Sequence, residues 1–304
     1  MSARIFLNDE WLAEDRARVS VMDRGFLFGD GVYEVIPVYS RQPFRLEQHL
    51  ARLQQSLDGI QLANPHRLEE WAGFVAQLAR EAEWEDQSIY IQVTRGPMAV
   101  RNHAFPRQVT PTTVILAEAM NTPPASQREQ GIAAVSAADI RWLRCDLKTT
   151  SLLANCLLRQ LAVSAGCVET VLFRDGFLTE GSASSIFVVK NGALLAPIKN
   201  HLMLPGITYD VVLELAARHD LPHEVRDITE AETRHADELW MCSSTKEVLP
   251  IVTLDGRAVG TRVGACRPAK RNPRQTESGT PGPVFARMYA WYQQFKATVM
   301  RAKP

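Results

Sequence analysis

The chain is short of lysine. Its 34 basic residues comprise 27 Arg and only seven Lys, and the first Lys is Lys148. General surface charge is therefore carried by Arg. Chemistry that needs a nucleophilic amine has few places to reside, because a guanidinium stays protonated and delocalised. Cysteine is sparse as well. Cys145, Cys156, Cys167, Cys242 and Cys266 make an odd number with no CxxC spacing, which argues against a disulfide framework or a zinc site and favours a reducing compartment. No stretch approaches the ~18 apolar residues of a membrane span, and the N-terminal residues lack the shape of a signal peptide. The expected location is the cytoplasm. Net charge is also lacking: 34 basic residues balance 34 acidic ones, giving no reason to expect a nucleic-acid or membrane-surface partner.

What is present is an ordinary globular composition, 46% hydrophobic and 22% charged over 304 residues, long enough for two domains. Residues 32–39 (VYEVIPVY), 89–94 and 112–117 are rich in β-branched and aromatic side chains and read as strands. Leu46, Leu50, Leu53, Leu57 and Ile60 recur every three or four residues, a helix stripe, and 67–83 forms a second helix. Residues 121–130 (NTPPASQREQ) are polar with a Pro pair and read as a linker. Beyond it, strands are expected at 132–136, 170–173, 185–189 and 239–243, and helices at 152–165 and 208–218. The whole reads as two α/β or α+β domains, 1–120 and 131–304. Residues 261–280 carry five Arg or Lys against one Glu and almost nothing apolar, a composition that predicts a disordered insert. After it, Phe285, Met288, Tyr289, Tyr292, Phe295 and Val299 mark a final helix.

Five places carry candidate chemistry. Lys148, in RCDLKTTSLL (144–153), is an amine among apolar and hydroxyl residues at a helix start; desolvated there, it is suited to Schiff-base formation. Glu180 sits in the small-residue turn TEGSASSIF (179–187), where a carboxylate can pair with a buried cationic nitrogen. Leu204-Pro205-Gly206-Ile207-Thr208 precedes a helix whose free N–H groups suit a phosphate, with Thr208 as a cap; Ser244, after strand 239–243, adds a hydroxyl donor. Arg52, on the polar side of the 46–60 helix, is placed to clamp a phosphate bidentately. Arg101 and His103, two apart in a Gly/Pro loop, point the same way in an extended segment and can together hold a carboxylate.

These elements, in this order, resemble the fold-type IV (class IV) pyridoxal-phosphate-dependent aminotransferases, and within them the D-amino acid aminotransferases. FGDGVYEV (28–35) and HLARL (49–53) resemble further family segments, and the likeness spans about residues 1–258 and 281–296. The resemblance implies a two-domain fold-type IV enzyme in which Lys148 forms the internal aldimine and shuttles the substrate proton. Glu180 would pair with the pyridine nitrogen and Leu204 pack on the ring. Arg52, the N–H groups of Ile207 and Thr208, and Ser244 would hold the phosphate. Tyr33, Arg101 and His103 would trap the substrate carboxylate, the last two contributed by the neighbouring subunit of a homodimer. The implied reaction is ping-pong transfer of an amino group from a D-amino acid to 2-oxoglutarate or pyruvate. Branched-chain L-amino acid or amine transamination, an aminodeoxychorismate lyase reaction, and a non-catalytic cofactor-binding protein are the rival expectations. Ala183 stands where some relatives carry Ser, so a hydroxyl role there is absent.

Overall fold

The computed structural model describes residues 4–260 and 279–301. Most of the basic 261–280 segment, through residue 278, lies outside the described residues. The chain forms two compact units: Met1–Asn121 with Asp146–Leu152 and Ala297–Pro304, and Thr122–Cys145 with Leu153–Lys296. The seven residues around Lys148 thus belong with the N-terminal unit, although the sequence around them continues in the other.

In the first unit, β1 (Arg4–Leu7), β2 (Glu10–Ala13), β3 (Gly31–Tyr39), β4 (Gln42–Pro43), β5 (Gln87–Thr94) and β6 (Thr112–Ala119) form an antiparallel sheet ordered β2-β1-β6-β5-β3-β4. The short α1 (Arg24–Phe28) leads into β3, and α2 (Leu46–Gly59) and α3 (Leu68–Glu81) follow β4. Strand alternation explains the core. Val32, Glu34 and Ile36 lie on one face of β3 and are all buried. Leu50, Leu53 and Leu57 of α2 join Val32 and Ile36, with Ile89, Ile91 and Val93 of β5, in one apolar cluster. Tyr33 lies on the other face. The expected stripe of α2 is present, but a second row beside it, His49, Arg52 and Ser56, is buried as well. Arg52 therefore faces the protein interior; its placement on the polar side is corrected.

The second unit holds a nine-stranded mixed sheet of β7 (Ile132–Ala138), β8 (Glu169–Arg174), β9 (Phe177–Gly181), β10 (Ser185–Lys190), β11 (Ala193–Ala196), β12 (His223–Val225), β13 (Glu238–Ser243), β14 (Glu247–Leu254) and β15 (Arg257–Ala258). The order is β12-β11-β10-β13-β14-β7-β8-β9, with β15 on β14. Strands β7 and β8 are parallel, so their connection must be a long crossover; it carries Lys148 and α5 (Leu153–Ser164). The 121–130 segment includes a short helix, α4 (Ala125–Glu129), and α6 (Ile207–Arg218), α7 (Glu230–Arg234) and α8 (Pro283–Phe295) complete the unit. Of α5, only Leu158 and Ala162 are buried. Leu153, Leu157 and Leu161, spaced four apart as an apolar helix stripe, face outward instead and are exposed.

Candidate active site

Lys148 is held by backbone and hydroxyl contacts to the start of β3 and to α2. Tyr33 N–H donates to the Lys148 carbonyl at 2.9 Å, and Lys148 N–H donates to Ser56 Oγ at 3.1 Å. Thr150 N–H donates to the Gly31 carbonyl at 3.0 Å, and the Thr150 and Ser151 hydroxyls both donate to the Gly29 carbonyl at 3.0 Å. Gly29 has φ +67°, and a Cβ there would meet Ser151 Oγ at 2.6 Å; the glycine is needed for both reasons. The FGDGVYEV segment thus serves as the seat for the lysine segment. The Lys148 Nζ lies 4.1 Å from the centroid of the Tyr33 ring, within cation–π range. Tyr33 in turn stacks on Tyr90 at 5.5 Å. Burial, with Tyr33 alongside, pushes the Tyr90 hydroxyl up to about 12, and it donates to Gln92 Oε1 at 2.7 Å.

On the opposite face of β3, the fully buried Glu34 accepts from Arg52 Nε at 2.7 Å and Nη2 at 2.9 Å, and faces His49 Nδ1 at 2.8 Å. Burial by itself raises a carboxyl, but Arg52 and then His49 outweigh it and bring Glu34 down to about 2. Burial also lowers His49 below its usual value, against the pull of Glu34, and the buried His49 Nε2 has no hydrogen-bond partner among the described residues. The Nε/Nη2 edge of Arg52 is thus engaged by Glu34 within the chain. The sequence pattern did not single out Glu34 or His49. The alternation of β3 held the signal, since Glu34 shares parity with Val32 and Ile36 and an inward carboxylate demands a counter-charge.

Arg101 and His103 both lie against Phe28. The Arg101 guanidinium is 5.0 Å and the His103 ring 5.1 Å from that ring's centre. Among the described residues, no hydrogen bond, ion pair or ring contact joins either of them to Tyr33 of the same chain.

In the second unit, Glu180 is the penultimate residue of β9 and is buried. It accepts from the Leu204 N–H at 3.2 Å and from Arg141 Nη1. Arg141, which no sequence motif marks, is shared: Asp139 binds it through Nε at 2.9 Å and Nη2 at 2.8 Å. Burial raises the Glu180 carboxyl above its usual value; Arg141 opposes the shift without cancelling it. Glu180 is therefore a buried carboxylate short of positive charge, which suits a protonated ring nitrogen as a further partner. Gly206, not Thr208, is the N-cap of α6. A Cβ at Gly206 would come within 2.9 Å of Ser185 Oγ. The Ile207 and Thr208 N–H groups meet no acceptor among the described residues, and the half-buried Ser244 makes no hydrogen bond there, so N–H donors and a hydroxyl suited to a phosphate remain available. Taken unit by unit, the chemistry present suits pyridoxal 5'-phosphate: an amine at Lys148 in the first, and in the second a carboxylate short of positive charge at Glu180 with N–H and hydroxyl donors for a phosphate.

Comparison with known proteins agrees. The family model described as amino-transferase class IV matches residues 31–254. The chain is 36% identical over 258 residues to a D-alanine aminotransferase of Staphylococcus haemolyticus, covering 84% of this chain and 91% of that protein. It is 35% identical to the D-alanine aminotransferase of Bacillus licheniformis, covering 88% and 94%, and 32% identical to that of Listeria monocytogenes, covering 95% and 94%. Among solved structures, the branched-chain amino acid aminotransferase of Escherichia coli superimposes with a TM-score of 0.83 at 23% identity, over 100% of this chain and 97% of that one. The branched-chain aminotransferase of the archaeon Thermoproteus uzoniensis, solved with norvaline, gives 0.80 at 24% identity over 97% and 95%. At that identity the structural likeness establishes the fold alone.

Proposed function

Because this chain belongs to the class IV aminotransferases, we propose that it transfers the amino group of a D-amino acid to a 2-oxo acid, pyruvate or 2-oxoglutarate. The observation that carries this reading is the 32–36% identity to D-alanine aminotransferases over most of both chains. The enzyme is dependent on pyridoxal 5'-phosphate, which supplies the electrophilic carbon that receives the amino group and a ring that holds the electron pair freed at the substrate Cα.

The chain's own residues supply the rest. Lys148 would anchor the cofactor and, once the donor's amine has displaced it, its freed Nζ would take the proton from the donor's Cα. Glu180 would keep the ring nitrogen protonated, and Leu204 would pack on the ring. The Ile207 and Thr208 N–H groups, Ser244 and Arg52 hold the phosphate. Tyr33, Arg101 and His103 hold the substrate carboxylate and thereby set which Cα–H faces the lysine.

The working unit is a homodimer. Among the described residues no hydrogen bond, ion pair or ring contact joins Arg101 or His103 to their own chain's Tyr33, as a trap completed by a second copy requires, and α5 presents Leu153, Leu157 and Leu161 to solvent, an apolar row of the kind a protein partner covers. A Leu157→Glu variant should sediment as a monomer and lose activity; a fully active dimer would refute the assignment. The enzyme works in the cytoplasm. That assignment rests on the unpaired thiols of Cys145, Cys156, Cys167 and Cys242. No helix among the described residues is long and apolar enough to cross a membrane.

The deciding experiment compares amino donors. D-Alanine with 2-oxoglutarate should yield pyruvate at least about a hundred times faster than L-leucine yields its oxo acid, a difference of roughly 3 kcal/mol in transition-state binding. Preference for L-leucine would assign the chain to branched-chain L-amino acids instead.

A further inference from the structure

One side chain outside the expected set is tied to the loop that carries Arg101 and His103. Arg24, the first residue of α1, is 3% exposed. Its Nη1 donates to the Asn102 carbonyl at 2.6 Å and the Ala104 carbonyl at 3.3 Å, and its Nη2 donates to the His103 carbonyl at 3.0 Å. One guanidinium thus gathers the carbonyls of three successive residues, and His103 is the middle one. A guanidinium presents five donors in a rigid plane; a lysine at this place has no comparable fork.

The clamp is itself anchored. Arg24 Nε donates to Asp30 Oδ2 at 2.7 Å, and the same oxygen accepts from Arg95 Nε at 2.9 Å. Arg95 in turn donates to the Ile60 and Gln61 carbonyls at 2.6 and 3.1 Å, and its guanidinium lies 3.6 Å from the Phe105 ring centre. Asp23, next to Arg24, accepts from the Gly25 N–H and from the Thr94 and Thr112 hydroxyls at 2.6–2.7 Å. The loop end of this assembly is closed by Phe28, whose ring lies about equally near three cations or potential cations: Arg24 at 5.0 Å, Arg101 at 5.0 Å and His103 at 5.1 Å. Backbone position is thereby set by Arg24, and side-chain direction by Phe28.

We infer that Arg24, with Phe28 beside it, is the positioning residue of the substrate-carboxylate trap: it orients Arg101 and His103 without touching substrate. This rests on the reading of Arg101 and His103 as that trap. A residue that only positions a binding loop should alter how well substrate is held more than how fast the bound substrate reacts, and misplacement by about 1 Å costs on the order of a hundredfold.

The test uses the holoenzyme with D-alanine as donor. Arg24→Lys keeps the charge and removes the fork. It should raise KM for D-alanine about ten- to a hundredfold with kcat within about twofold. Hydrogen–deuterium exchange of peptides covering 98–110 should speed up, while peptides covering 31–39 and 146–152 and the cofactor's visible band stay unchanged. Phe28→Leu, at a half-buried position, should shift KM in the same direction by less and serves as the second variant if Arg24 changes prevent folding. A KM unchanged in both variants overturns the inference. So does a fall in kcat with faster exchange throughout the unit, the mark of a general structural role. Arg101→Ala separates the two levels. If it raises KM and the Arg24 and Phe28 variants do not, the positioning role alone fails; if it leaves KM for D-alanine unchanged, the trap reading fails and the inference with it.

Discussion

Glu34 and Glu180 are both buried carboxylates on strands, each paired with an arginine, and their carboxyls are shifted in opposite directions. Glu34 receives three charged or ring N–H contacts from Arg52 and His49, and its carboxyl is held at about 2. Glu180 receives one arginine nitrogen and one backbone N–H, and that arginine is bound by Asp139 through two other nitrogens, so burial prevails and its carboxyl is raised. The first carboxylate is completed by the protein. The second is left short of positive charge, which is what the proposed pairing with the cofactor's ring nitrogen would supply. A buried acid with fewer partners than its burial demands marks a ligand position; one with a full set marks a support.

The comparison breaks most visibly in turnover. Glu180→Gln should fold and bind cofactor, yet lose about a hundred- to a thousandfold in kcat, the scale on which a lost electrostatic partner of the reacting system is felt. Glu34→Gln should cost far less in intrinsic chemistry once cofactor is saturating. If the two variants lose kcat equally, the distinction between ligand and support is wrong.

Stability should show the reverse order. Removing the Glu34 charge leaves Arg52 buried without its counter-ion, a loss of about 3 kcal/mol or more, readable as a fall in the urea midpoint. Glu180→Gln in the cofactor-free protein should be close to neutral or stabilising, because it removes an under-compensated buried charge.

The smallest effect is in the pH dependence of stability without cofactor. Glu34 is depressed from its ordinary 4.5 to about 2, so its contribution is full above pH 4.5 and is lost as pH falls from about 4.5 to about 2. Glu180 is raised, so its contribution is full below pH 4.5 and is lost as pH rises through its folded-state value. Melting curves across pH should therefore show Glu34→Gln flattening the acid limb and Glu180→Gln flattening the limb above pH 4.5. Identical pH profiles for the two variants would remove the contrast.

Much of this was legible in the residues. Periodicity locates α2, β3 and β5, and the scarcity of lysine makes Lys148 a candidate that only the resemblance to the class IV family turns into an assignment. What periodicity alone conceals is polar side chains that turn inward. His49 and Arg52 fall beside the leucine stripe of α2, where hydropathy assigns them to solvent, and only the parity of Glu34 with Val32 and Ile36 reveals the charge they answer. Arg24 and the pairing of Arg141 with Glu180 escape for a related reason. Their partners lie in separate segments, 78–80 residues away for the carbonyls that Arg24 gathers and 39 for the Arg141–Glu180 pair, so no local pattern announces them. The outward stripe of α5 shows the converse limit: apolar spacing identifies a helix face but not which surface covers it.

The claim beneath all of these is that Lys148 bears the cofactor. Reducing the holoenzyme with borohydride fixes the cofactor to its lysine, and peptide mass mapping then locates it among the chain's seven lysines. The phosphopyridoxyl mass should appear on the peptide containing Lys148 and on no other; label on Lys246 or any other lysine, with Lys148 unmodified, would contradict the assignment.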